Sequence, residues 1–215
     1  MRLPSLLLVF LLTGLTAAAP HHLYVASSGG IDVHRIDPSS GRLGPARRVK
    51  FEGAGAFTFS DDASRLHLAA KPADGPELVT CHRKADGSLM RLANTGVPLA
   101  PGTLRVSPDG NFLAGNHYRE GKVSVWRLRS GIPSSQPVAH MTLEKRAHDA
   151  VFSPSNRWLL VPATAPNKVF VNAFDPGQGS LAPNDPPFAS GPVGESEAGN
   201  PRHLLFHPDK PGLIY

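Results

Sequence analysis

The chain has 215 residues, of which 40% are hydrophobic and 18% charged, enough apolar side chains to bury a sizeable core and too few charges for wholesale disorder. Its formal net charge is +5, but the basic residues stand in short, scattered clusters without interleaved aromatic residues or a known reading motif, which argues against nucleic-acid binding. Glycine (21) and proline (22) recur between β-branched and aromatic residues, a composition typical of many short strands joined by turns.

The first residues follow the order of a secretory signal peptide. Arg2 precedes an apolar stretch over residues 6–12, which is too short to cross a membrane, and small residues follow at 17–19. A leucine-rich core strand is the alternative. We predict a signal peptide over residues 1–19 and a periplasmic or secreted protein with no membrane attachment after cleavage. The single Cys81 leaves no partner for an intramolecular disulfide.

Four similar segments recur along the rest of the chain, each a strand, a polar turn and a strand. Their turns align on Ser60, Ser107, Ser153 and His207, which stand 47, 46 and 54 residues apart, close to the length of one propeller blade. In the best repeat, strands are predicted over residues 148–153, 158–162 and 169–174, with a less regular fourth stretch over 182–192. The repeat therefore predicts an all-β fold, a β-propeller of four-stranded antiparallel blades.

The two ends of the repeat array differ from its middle. The first unit, residues 23–51, has three predicted strands and no innermost strand of its own, and residue 215 falls at the end of the second strand of a new repeat. We predict that residues 20–215 form an incomplete propeller domain of roughly four blades whose open ends leave strand edges unpaired. A smaller propeller closed by these pieces is the alternative.

Candidate functional residues come from the repeat alignment. Five positions before each turn stand Gly55, Gly102, His148 and Arg202, at one level of the innermost strands, which line the central channel. Arginine can hold a carboxylate or phosphate with two hydrogen bonds, and histidine transfers protons near neutral pH. We predict that His148 and Arg202 converge on one ligand. Alternatively, both residues satisfy channel carbonyl groups or bind ordered water.

The other histidines carry weaker signals. His203 follows Arg202 and, by strand alternation, is expected on the opposite side as a packed, hydrogen-bonded residue. His207 replaces the serine of its turn and is interpreted as structural. The ten histidines of the chain lack the close spacing of a metal site, so no metal and no cofactor is predicted.

Three segments resemble a known family. They are 147–154 (AHDAVFSP), 158–163 (WLLVPA) and 201–208 (PRHLLFHP), and together they are similar to the bacterial 6-phosphogluconolactonase and carboxy-muconate cyclase family over essentially the whole mature chain. The chain departs from the family at His117, Asn167 and Asn200. The resemblance implies a seven-bladed propeller that opens or forms a lactone ring without a metal or organic cofactor.

The resemblance also implies functional roles. The family residues that match His148 and Arg202 are proposed active-site groups, and a glutamate expected just beyond residue 215 is implicated with them. We therefore expect a lactonase that hydrolyses a sugar lactone such as 6-phosphogluconolactone to the open-chain acid, with a small-molecule lactone or acidic sugar as its partner. The alternatives are an exported, non-catalytic propeller that binds a ligand or protein, and a muconate-type lactonising cyclase.

Overall fold

The computed structural model describes residues 21–191, 200–210 and 212–215, so the predicted signal peptide lies outside the described residues. Within these ranges the chain forms sixteen strands in four antiparallel sheets and no α-helix, which confirms the all-β prediction. Accordingly, the described part contains no helix with the length and apolar character that a membrane span requires. The sheets follow one another in chain order, one for each predicted blade.

The first sheet has three strands in the order in which they occur. They are β1 (His21–Ser27), β2 (Gly30–Ile36) and β3 (Arg47–Lys50). Strand β1 alternates exposed and half-buried residues, as expected of a strand with one covered face. Within the described residues β1 pairs only with β2, so the three-strand composition predicted for this unit is confirmed.

The second and third sheets are complete blades. The second contains β4 (Ala54–Phe59), β5 (Arg65–Ala70), β6 (Glu77–Arg83) and β7 (Leu89–Gly96). The third contains β8 (Thr103–Val106), β9 (Phe112–His117), β10 (Lys122–Arg129), β11 (Ile132–Pro133) and β12 (Ala139–Thr142). Its outer edge is divided, because β11 pairs with the end of β10 and β12 with its beginning.

The fourth sheet matches the repeat with the clearest sequence pattern. It contains β13 (Val151–Phe152), β14 (Trp158–Ala163), β15 (Lys168–Asp175) and β16 (Ser180–Ser190). Strand β16 runs through the proline-rich stretch, as predicted, with a register shift opposite β15 between Phe170 and Asn172. A fifth unit begins beyond it, where Phe206 and Ile214 form an antiparallel bridge.

The aligned turns share a hydrogen-bonding pattern that explains the repeat. In the first three turns the serine hydroxyl oxygen accepts the backbone N–H five residues later, at 3.0 Å from Ser60, 2.9 Å from Ser107 and 3.1 Å from Ser153. The third residue after each serine has a left-handed backbone, at Ala63, Gly110 and Asn156. At His207 the ring Nδ1 instead accepts the N–H of Asp209 at 3.0 Å, in agreement with the structural role predicted for this histidine.

Each pair of neighbouring sheets encloses its own apolar cluster. A buried side chain of this kind contributes about 1.5–3 kcal/mol by its removal from water, so the clusters fix the sheets against one another. Ile31, Leu66 and Leu68 represent the cluster between the first and second sheets. Leu78, Leu104 and Trp126 represent the cluster between the second and third, and Phe112, Leu159 and Phe174 the cluster between the third and fourth. The inner strands of successive blades are thereby held side by side.

Candidate functional site

The candidate site lies where the inner strand of the fourth sheet begins. Ala147 pairs with Ala163 and Val151 with Leu160, so the register changes by one residue between these pairs. A bulge of this kind re-aims side chains and is common beside functional sites. The inner strand of the second sheet has a similar irregularity, between Ala54 and Phe57.

His148 occupies this bulge and is half-buried. Its backbone N–H donates to the carbonyl oxygen of Pro162 at 2.8 Å, and its ring stands edge-on to those of Tyr118 and His203, with centroids 5.6 and 4.9 Å away. Its buried Nδ1 atom has no hydrogen-bond partner among the described residues.

The surroundings of His148 keep its imidazole neutral. Burial lowers the pKa of His148 below the usual 6.5, and the positive charges of His203 and Arg202 lower it further. A neutral imidazole at pH 7 is able to accept a proton.

Arg202 lies on the neighbouring fifth unit and is exposed. The backbone just before it is held by Asn167, whose Oδ1 accepts the N–H of Asn200 at 2.9 Å. Asn167 and Asn200 both have a left-handed backbone, a conformation that asparagine tolerates better than most residues. The structure thus brings Arg202 close enough to His148 for its charge to act on the pKa of the histidine.

Asp149 is a central residue of the cluster that the sequence reasoning missed. Its side chain is fully buried, and its Oδ2 accepts a hydrogen bond from Arg105 Nη2 at 2.9 Å and lies 3.4 Å from His203 Nδ1. Its Oδ1 accepts the N–H of Ala150 at 2.9 Å. Because Arg105 belongs to β8 and His203 to the fifth unit, this carboxylate links three successive units.

The expectation for His203 is only half right. It is hydrogen-bonded, to Asp149, but it is not packed away from the site, since its side chain is 63% exposed and its ring contacts His148. The alternation argument assumed regular strands, whereas Asp149 sits in a bulge and the backbone around Arg202 has no ladder partner among the described residues. The sequence signal for these two residues was that Asp149 directly follows His148 and His203 directly follows Arg202.

One cavity in the inner part of the sheets shares Arg105 with this cluster, but His148, Asp149, Arg202 and His203 do not line it. This cavity of about 280 Å³ opens between the inner strands of the second, third and fourth sheets, and Thr58, Arg105 and Val151 are among its lining residues. The equivalent positions Gly55 and Gly102 have no side chains. Among the described residues, no three His, Cys, Asp or Glu side chains gather in a way that could hold a metal ion.

The sequence model of one protein family, described as "Lactonase, 7-bladed beta-propeller", matches residues 11–215. The chain belongs to this lactonase family. A 6-phosphogluconolactonase of Cronobacter sakazakii is 30% identical over 194 residues, which make up 88% of the chain and 55% of that relative. A 6-phosphogluconolactonase of Enterobacter sp. is 33% identical over 125 residues, 58% of the chain and 36% of that relative.

A solved structure supports the same placement. The periplasmic gluconolactonase of Pseudomonas aeruginosa superposes with a TM-score of 0.75 and 25% identity, over 88% of this chain and 59% of that one. The chain thus spans between about a third and three fifths of the length of these relatives, from 36% to 59%. The expected family and propeller fold are confirmed.

Proposed function

We propose that this lactonase-family chain hydrolyses a sugar lactone to the open-chain hydroxy acid. The observation that carries the proposal is the half-buried His148, whose ring lies 4.9 Å from that of His203, the residue after Arg202, and whose pKa is lowered by burial and by the charges of His203 and Arg202. Relatives named 6-phosphogluconolactonase and a structural neighbour named gluconolactonase support the same reaction class.

The chemistry follows from the two side chains. A water molecule attacks the lactone carbonyl carbon while His148 accepts one of its protons, the ring C–O bond breaks, and the ring oxygen leaves as a hydroxyl group after taking up a proton. General-base assistance of this kind contributes about 10²- to 10⁴-fold in rate. We therefore assign His148 the role of proton acceptor.

Arg202 is proposed to bind the anionic group of the substrate. A guanidinium fork matches a phosphate or carboxylate with two parallel hydrogen bonds, each stronger than one between neutral groups. If the substrate is a phosphorylated lactone, Arg202→Ala should lower kcat/KM by about 10- to 100-fold, because hydrogen bonds to a charged group contribute about 1.5–3 kcal/mol. A non-phosphorylated aldonolactone should then be affected much less.

We also propose that residues 20–215 act as one exported propeller domain after removal of residues 1–19. The order of charged, apolar and small residues at the start of the sequence supports export, as does the periplasmic location named for the Pseudomonas aeruginosa neighbour. Mass spectrometry of the protein recovered from a periplasmic extract tests this directly. Recovery of the intact N-terminus from the cytoplasm alone would refute it.

The activity is tested by following acid release in a pH-stat with 6-phosphogluconolactone and simple aldonolactones, after subtraction of the rate without protein. The full chain is compared with His148→Ala and Arg202→Ala. His140→Ala, an exposed histidine on β12, is the matched control. We expect His148→Ala to lose activity on both kinds of lactone and Arg202→Ala to lose it mainly on the phosphorylated lactone. The circular dichroism and thermal melts of both variants should match those of the control.

A well-folded chain without activity on any of these lactones would contradict the proposal. That result would favour the exported propeller that binds a ligand or protein without catalysis. Activity that survives His148→Ala at the rate of the control would instead remove this histidine from the mechanism.

A further inference from the structure

We propose that His203 donates the proton taken up by the departing ring oxygen, and that the buried Asp149 positions His203 for this step. The proposal rests on the lactone hydrolysis proposed above and adds a second proton-transfer group to it. It assigns separate roles to two histidines whose rings touch.

Asp149 is a buried carboxylate with three partners. A buried carboxylate is costly unless it is paired and hydrogen-bonded, and Asp149 meets this condition through Arg105, Ala150 and His203. Two of these partners, Arg105 and Ala150, suffice to satisfy a structural carboxylate. The third contact holds His203 through Nδ1, and the His203 side chain is 63% exposed, so a substrate can approach its ring.

The rings of His148 and His203 are in contact. They stand perpendicular with centroids 4.9 Å apart, so two positive charges there would repel. Tyr118 contacts the His148 ring, and burial and the charge of Arg202 lower the pKa of His148 while the charge of Asp149 raises it. The Asp149 carboxylate, shared with Arg105, lies directly against His203. The carboxylate 3.4 Å from its Nδ1 therefore favours His203 over His148 as the proton donor of the pair.

These assignments give a balanced reaction. Water adds to the carbonyl carbon and gives one proton to His148, then the ring C–O bond breaks and the ring oxygen receives a proton from Nε2 of His203. The proton on His148 passes to His203 through the adjacent rings or water, which restores the starting state. The new carboxylic acid ionises and releases one proton to solvent.

The roles are separable by the pH dependence of kcat. The kcat of the wild type should rise with pH as His148 loses its proton, and this rise should lie below pH 6.5 because the pKa of His148 is lowered. At higher pH, kcat should fall again as the proposed donor His203 loses its proton. His203→Gln should reduce kcat by about 100-fold, leave KM within about twofold and abolish the high-pH fall. Asp149→Asn should move the high-pH fall to lower pH, while His140→Gln should leave the profile unchanged.

Two results would overturn the proposal. One is a His203→Gln variant whose kcat and pH profile equal those of the wild type. Because the His203 side chain is largely exposed, this variant should fold, and it remains informative even if Asp149→Asn does not fold. The other is an Asp149→Asn variant that loses activity without any movement of the high-pH fall, as expected of a purely structural residue.

A histidine NMR titration of the full chain separates this proposal from the proposed function. We expect His203 to hold its proton to higher pH than His148, and Asp149→Asn to narrow the difference. If His148 instead holds its proton to higher pH than His203, the assignment of His203 as the proton donor is overturned, even when the lactone is hydrolysed. Absence of wild-type lactone hydrolysis refutes the proposed function, whereas hydrolysis that is indifferent to His203→Gln refutes only this inference.

Discussion

Replacement of Phe112 by alanine should loosen the contact between the third and fourth sheets. Phe112 is fully buried on β9, its ring meets that of Phe174 edge-on at 5.1 Å, and the Arg127 guanidinium lies 4.6 Å from its centroid. Phenylalanine-to-alanine changes in cores cost about 3–5 kcal/mol, and the aromatic pair alone accounts for about 0.5–1.5 kcal/mol beyond area burial. We expect a loss of about 4 kcal/mol in the free energy of unfolding.

Urea unfolding and thermal melts measure this loss. For a chain of this size, about 4 kcal/mol corresponds to a fall in Tm of roughly 8–16 °C. Phe188→Ala is the matched control, because Phe188 is only partly buried on the outer strand β16 and its ring lies 5.9 Å from that of Phe170. If Phe112→Ala costs no more than Phe188→Ala, the inter-sheet packing described for Phe112 is wrong.

Three further predictions address single positions. Gly121→Ala should destabilise the fold more than Gly110→Ala in urea melts, because both have a left-handed backbone but only at Gly121 does a Cβ meet a carbonyl oxygen, that of Glu144, at 2.5 Å. Burial lowers the pKa of His67 to about 4, so the unfolded chain binds a proton between pH 6.5 and 4 that the folded chain does not. The free energy of unfolding should therefore fall as pH drops through this window, by up to about 3 kcal/mol, and His67→Gln should flatten the dependence. Burial raises the pKa of Cys81 to about 11, so its thiol should react with Ellman's reagent only after denaturation.

The sequence was informative about the fold because the repeat is built from local interactions. The serine of each turn binds the backbone five residues later, so the spacing of Ser60, Ser107 and Ser153 reports turns that the structure contains. The divided outer edge of the third sheet was not predictable in the same way. It depends on which half of β10 each of the strands β11 and β12 meets, and no local pattern encodes that choice.

The candidate site was only partly predictable. The alignment singled out His148 and Arg202, because equivalent positions of adjacent blades share one level of the channel, and their joint role stays a prediction. In the structure, burial and the charge of Arg202 both lower the pKa of His148. The alignment missed Asp149 and misplaced His203, since both depend on a bulge and on contacts between residues 44 and 54 positions apart. Period-2 alternation describes regular strands and fails where the ladder is interrupted.

The central claim is that His148 serves a lactone-hydrolysing site on the inner strands. The most direct test is the initial rate of acid release from 6-phosphogluconolactone by the wild-type full chain, beside His148→Ala and the exposed control His140→Ala. The account predicts hydrolysis above the spontaneous rate for the wild type and the control, and a loss of about 10²- to 10⁴-fold for His148→Ala. Equal rates in all three folded proteins would contradict it.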